Sequence, residues 1–248
     1  VVFGVGASSL ENNIGWSSYF HEMGHNMTLN SPADYYFGGK TDGCANAIFS
    51  ETMAQIFQHA ATYEILNSFL GAENEYGIPA GLAFEIENSA ISAIGIMRSF
   101  YEQYIDEGMN FCAWNDPGTE SYDESLTTFM TIAYQFCVHA EENIGDEYTA
   151  DGYLIPLERM CSVLQLWDEE LHFYWNQYQD DPEADIFRST LMVTAMSYGF
   201  DQDLRSEFID LGFPISNYWY SRLINNMENP PTEVEELIDE NSTATISL

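Results

Sequence analysis

The chain has 248 residues and carries 40 Asp and Glu against 6 Lys and Arg, a formal charge of −34. One lysine, Lys40, and five arginines cannot build a phosphate-binding face, which excludes nucleic acid as a partner and disfavours anionic membrane surfaces. Hydrophobic residues make up 46% and aromatics 15%, enough for a substantial core, so the chain reads as folded despite its charge.

In chain order, residues 1–9 read as a short strand and turn. No signal peptide opens the sequence, and the start reads as a processed or truncated end. A helix is expected over residues 14–29. Trp16, Phe20, Met23 and Met27 recur on it at helical spacing and form an apolar stripe. The opposite side carries His21 and His25, with Ser17, Ser18 and Thr28, and suits a wet cleft. This helix contains His21-Glu22-Met23-Gly24-His25, an HExxH motif. Two imidazoles four residues apart share one helix face and can take two corners of a tetrahedral Zn²⁺. Glu22 then stands beside the metal, placed to accept a proton from a zinc-bound water.

A catalytic zinc needs a third protein ligand and one open position. No third histidine follows: Thr28 and Ser31 stand where an extended HExxHxxGxxH pattern needs Gly and His. After a loop over residues 31–43 comes a helical stretch from about Ser50 to Leu70. Met53, Ile56, Phe57 and Ala60 form its apolar face. Glu51, Gln55, Gln58 and Thr62 form a polar stripe expected to line the cleft opposite the HExxH helix. Glu51 is therefore the candidate third ligand. Further helices are expected at about 81–107, 123–143, 156–178, 184–198 and 203–211, separated by Pro, Gly and acidic breaks.

From Asn229 the chain turns to Pro-Pro and then to acidic and polar residues. This divides it into a domain over 1–228 and a linker or tail over 229–248. The fold class is mainly α, with an α+β remnant at the N-terminus. No run of 18 apolar residues occurs, so no membrane insertion is expected. Acid clusters at Asp180-Asp181, Glu183, Asp185 and at Asp146-Glu147, Asp151 offer oxygen ligands for Ca²⁺, but match no EF-hand loop and read first as solvated surface. Cys44, Cys112, Cys137 and Cys161 form no CxxC, and both thiols and disulfides stay open.

The stretch Gly15-Trp16, then Phe20-His21-Glu22-Met23-Gly24-His25-Asn26, resembles the gluzincin metallopeptidases, and within them the enhancin and mucin-degrading branch. Asn46-Ala47-Ile48-Phe49-Ser50 is similar to that branch's segment near its third ligand. Asp203-Leu204, Phe208 and Leu211-Gly212-Phe213-Pro214 are similar to its terminal helical region. The resemblance implies zincin-like catalytic helices, a C-terminal helical lobe closing the cleft, and an upstream sheet lobe in a longer precursor. It implies one catalytic Zn²⁺ on His21, His25 and Glu51, with Glu22 as general base. Asp42 competes with Glu51, because it stands near the spot where that branch carries its glutamate. Gln55 replaces a carboxylate that many relatives use to orient a ligand histidine.

The expected function is a zinc metalloendopeptidase acting on extracellular or cell-surface proteins or glycoproteins. Tyr134, Tyr198 and His139 are candidates for an oxyanion donor. Two alternatives stand beside it: a non-catalytic surface or binding domain that keeps the zincin fold, and an aminopeptidase.

Overall fold

A computed structural model describes residues 18–25, 51–70, 80–112, 122–144, 151–175 and 182–228. The expected strand at 1–9, the loop with Asp42, Cys44 and the tail over 229–248 lie outside the described residues. So do Asp146, Glu147, Asp180 and Asp181, and the side chains of Asp151, Glu183 and Asp185. The described residues are mainly α-helical and contain no strand. Helix α1 covers residues 18–25. It is followed by α2 (Thr52–Leu70), α3 (Ala80–Asp106), α4 (Tyr122–Ile144), α5 (Asp151–Trp175), α6 (Pro182–Phe200), α7 (Arg205–Asp210) and α8 (Asn217–Glu228). None of these helices is long and apolar enough to cross a membrane.

Burial follows helical periodicity. On α3 the buried residues are Ala83, Ile86, Ala90, Ala93, Met97 and Tyr104, steps of three, four and seven that define one stripe. Helix α4 is the hub and packs on α2, α3, α5 and α6. Ile132, Ala133, Phe136, Cys137 and Ala140 supply its buried faces. Small residues among large ones let neighbouring helices approach while the aromatic rings fill the spaces between.

Helix α2 departs from the amphipathic expectation. Its apolar face is buried save for a partly buried Phe57, and so are three of the four polar-stripe residues: Gln55, Gln58 and Thr62 are each 6–7% exposed, while Glu51 is half-buried. Contacts with α3, α4 and α5 surround it. Thr62 donates to the carbonyl of Gln58 within the helix (2.7 Å), which satisfies its hydroxyl without water. His59, also on α2, is buried with neither ring nitrogen hydrogen-bonded among the described residues, and burial pushes its pKa down to about 4. Its ring lies beside Tyr153, which together with Tyr63 donates to the Glu141 carboxylate.

Two boundaries differ from expectation. Helix α5 begins at Asp151, although Pro156 had suggested a start five residues later. Pro156 costs the helix one hydrogen bond to the Gly152 carbonyl, and burial of Tyr153 and Leu157 offsets it. Helix α8 was not foreseen. Ser216 Oγ accepts from the Trp219 N–H at 3.3 Å and caps its first turn, while Tyr220 and Leu223 bury its inner face against α6.

The α7–α8 corner is tied back to α3. Tyr104 donates to the Leu211 carbonyl (2.8 Å), and Phe213 packs against Tyr104, Phe111 and Phe208. Gly212 turns this corner at φ +79, where a Cβ would also meet the Met109 carbonyl oxygen at 2.6 Å. Both constraints require glycine. Cys112, Cys137 and Cys161 are thiols rather than disulfides. Burial pushes the Cys161 thiol up to about 12. Cys137 rises further, from burial first and then from the Glu141 charge.

Candidate metal centre

His21 and His25 lie one turn apart on α1, so their rings project from one face. The ring centroids are 4.8 Å apart with planes at 88°. Glu51 occupies the turn that leads into α2, and its two oxygens divide between the rings. Oε2 lies 3.3 Å from His21 Nε2, and Oε1 lies 3.5 Å from His25 Nε2. Donor atoms of the three residues all lie within 4.8 Å of one another, the only such His/Cys/Asp/Glu group among the described residues.

These spacings pass a simple test. A tetrahedral ion with bonds of about 2.1 Å holds its ligand atoms about 3.4 Å apart. Two imidazole nitrogens and a carboxylate are also a donor set that zinc takes readily. The residues therefore fit a zinc ion. Burial acts to raise the Glu51 carboxyl pKa, but hydrogen bonds and charge from the two histidines outweigh it and hold the pKa at about 2. Glu51 is thus an anion at neutral pH.

Gly24 explains how the two helices come together. It is buried and faces α2. A Cβ built on it would lie 2.7 Å from Ala54 Cα, 3.0 Å from the Ala54 oxygen and 3.0 Å from Phe57 Cβ. Only a residue without a side chain lets the α1 backbone rest on α2 at this distance. His21 and His25 flank that contact, three residues before and one after, so the approach that buries Gly24 also carries both rings toward Glu51.

The expected apolar stripe of α1 holds in part: Phe20 is half-buried, Met23 is 42% exposed, and Trp16 and Met27 lie outside the described residues. The close packing is made by Gly24, which stands between Phe20 and His21 around the helix. Periodicity missed it because glycine adds nothing to a hydrophobic pattern. A usable signal was present: glycine inside a helix costs about 1 kcal/mol relative to alanine and calls for a packing reason.

The other sequence candidates sort as follows. Glu22 is half-buried on α1 beside His21. Gln55 is buried one turn beyond Glu51, and no hydrogen bond joins its amide to either histidine among the described residues. The three oxyanion candidates make contacts with other helices. Tyr134 packs on Tyr101 of α3, His139 meets Glu207 of α7, and Tyr198 lies under the Arg159 guanidinium. No family model, no curated protein and no solved structure matches the chain.

Proposed function

We propose that the chain is a zinc metallopeptidase of the gluzincin kind, closest in motif to the enhancin and mucin-degrading branch, with His21, His25 and Glu51 holding the metal. The observation that carries this reading is the convergence of two imidazole Nε2 atoms on the two oxygens of one carboxylate, at 3.3 and 3.5 Å. Zinc, when bound, supplies Lewis acidity to the reacting carbonyl and makes water more acidic.

The chain's own residues do the rest. His21 and His25 would offer Nε2 lone pairs to the ion in place of the hydrogen bonds they make with Glu51 without it. Glu51, ionised at neutral pH, supplies negative charge to balance the cation. Glu22 takes the proton from the attacking water and returns it to the leaving amine. Gly24 sets the distance between the two helices that carry these groups.

Proteins or glycoproteins outside the cell or on its surface are the proposed substrates. The net charge of −34 favours neutral or cationic stretches of such chains. The test is hydrolysis of an unstructured protein, followed by mass spectrometry of the products, for the wild type and Glu22→Gln. The reading expects a loss of roughly 10²- to 10⁴-fold in rate with zinc retained. Unchanged hydrolysis in Glu22→Gln would remove Glu22 as the base.

A further inference from the structure

A second cleft lies away from α1, at the junction of α5, the end of α6, the α6–α7 turn and α8. Its volume is about 520 Å³, and Arg159, Tyr198, Asp201, Arg205, Ser221 and Asn225 are among the residues that line it. It holds two of only six basic residues in a chain with 40 acidic ones. That concentration matters because basic groups are scarce in so acidic a chain.

The two arginines differ. Arg205 is committed: Asp203 clasps its guanidinium, Asn217 Oδ1 accepts from Nη1 at 3.1 Å, and the group sits 4.2 Å above the Tyr220 ring. It is a rigid wall. Arg159 stacks 4.9 Å above the Tyr198 ring and has no carboxylate partner among the described residues. The stacking fixes the guanidinium plane and leaves its N–H edge for a ligand, which lowers the entropy cost of binding. Asp201 lines the same cleft and is held at φ +54 in the turn that ends α6. Its carboxylate likewise has no cationic partner among the described residues, and it does not pair with Arg159.

One cleft thus carries a half-buried cation and an exposed anion, neither of them in an ion pair among the described residues. A simple anion would satisfy Arg159 and be repelled by Asp201, and a simple cation would meet the reverse. A molecule bearing both charges satisfies both. We propose that this cleft is a binding site for a small zwitterion of the amino-acid or short-peptide class, with Arg159 taking the carboxylate and Asp201 the ammonium group. Ser221 and Asn225 add neutral hydrogen-bonding groups to the lining, and the volume accommodates a dipeptide. This proposal is independent of the metallopeptidase reading.

The probe is dialanine, with its N-acetyl and C-terminal amide forms as controls that each lack one charge. Binding is followed by backbone-amide NMR shifts and by calorimetry on protein kept in EDTA, which prevents turnover and removes a metal centre as the receptor. Dialanine is expected to shift the amides of Tyr198, Gln202 and Ser221, and each control is expected to bind at least about tenfold more weakly. Arg159→Gln and Asp201→Asn are expected to lose at least about tenfold each. Asparagine tolerates the left-handed conformation at position 201, so the second variant keeps the turn, and circular dichroism verifies that both fold. The proposal is overturned if dialanine shifts no amide of the cleft, if the singly charged controls bind equally well, or if both folded variants keep wild-type affinity.

Discussion

His139 and the His21–His25 pair are both histidines beside carboxylates, and they differ in which ring atoms the carboxylates meet. At His139 the two partners lie on different sides of one ring: Glu207 at 3.0 Å from Nε2 and Glu142 at 3.7 Å from Nδ1. The imidazole stands between them, so no single ion can touch all three, and the ring acts as a tie between α4 and α7. At the first site two rings turn the same nitrogen toward one carboxylate, and the space they enclose suits one ion. Similar residue types therefore give a tie in one place and a convergent set of donor atoms in the other. The difference lies in the helix approach that Gly24 permits.

That contrast can be broken most severely at the first site. Beyond the Glu22→Gln test, Gly24→Val is expected to push α1 off Ala54 and weaken zinc affinity by about 10- to 100-fold, the range seen when ligand orientation is disturbed. Metal competition with a chromogenic chelator measures it, and circular dichroism should show unchanged helix content. Wild-type affinity in the valine variant would show that the close contact does not set the site.

A further histidine sharpens the comparison from the opposite side. Among the described residues His59 has no carboxylate partner, and burial holds its pKa near 4 against an ordinary value of 6.5. The unfolded chain binds a proton that the folded chain refuses, so lowering the pH through 6.5 toward 4 favours unfolding. The loss reaches at most about 3 kcal/mol. Urea midpoints from pH 7 to pH 4.5 measure it, and His59→Leu should flatten that part of the profile. An identical pH profile in the leucine variant would contradict the assignment. The smallest effect is expected at the tie: Glu207→Gln should cost about 1 kcal/mol or less by the same urea titration and leave zinc affinity unchanged.

Much of this was legible in the sequence. His21, Glu22 and His25 announce themselves by spacing, and the helices α2, α3, α4 and α6 begin and end within a few residues of expectation, because apolar periodicity and Gly/Pro breaks are local signals. Glu51 was chosen for opening a helix, and it meets both histidines. Three things were not legible. Most of the polar stripe of α2 is buried, because periodicity identifies one packed face and cannot tell when neighbours close over the other. The close contact of α1 was not anticipated, because it is made by Gly24, a residue without a side chain. Helix α8 was overlooked because Asn217, Asn225 and Asn226 are weak helix formers, and its burial against α6 is tertiary.

The central claim is that three named side chains hold one zinc ion. The most direct measurement is zinc content by mass spectrometry on the wild type, Glu51→Ala and Asp42→Ala, each purified without added metal and then dialysed against substoichiometric chelator. The account predicts about one zinc per chain in the wild type and Asp42→Ala, with loss in Glu51→Ala. Zinc retained by Glu51→Ala, or none held by the wild type even after supplementation, would contradict it.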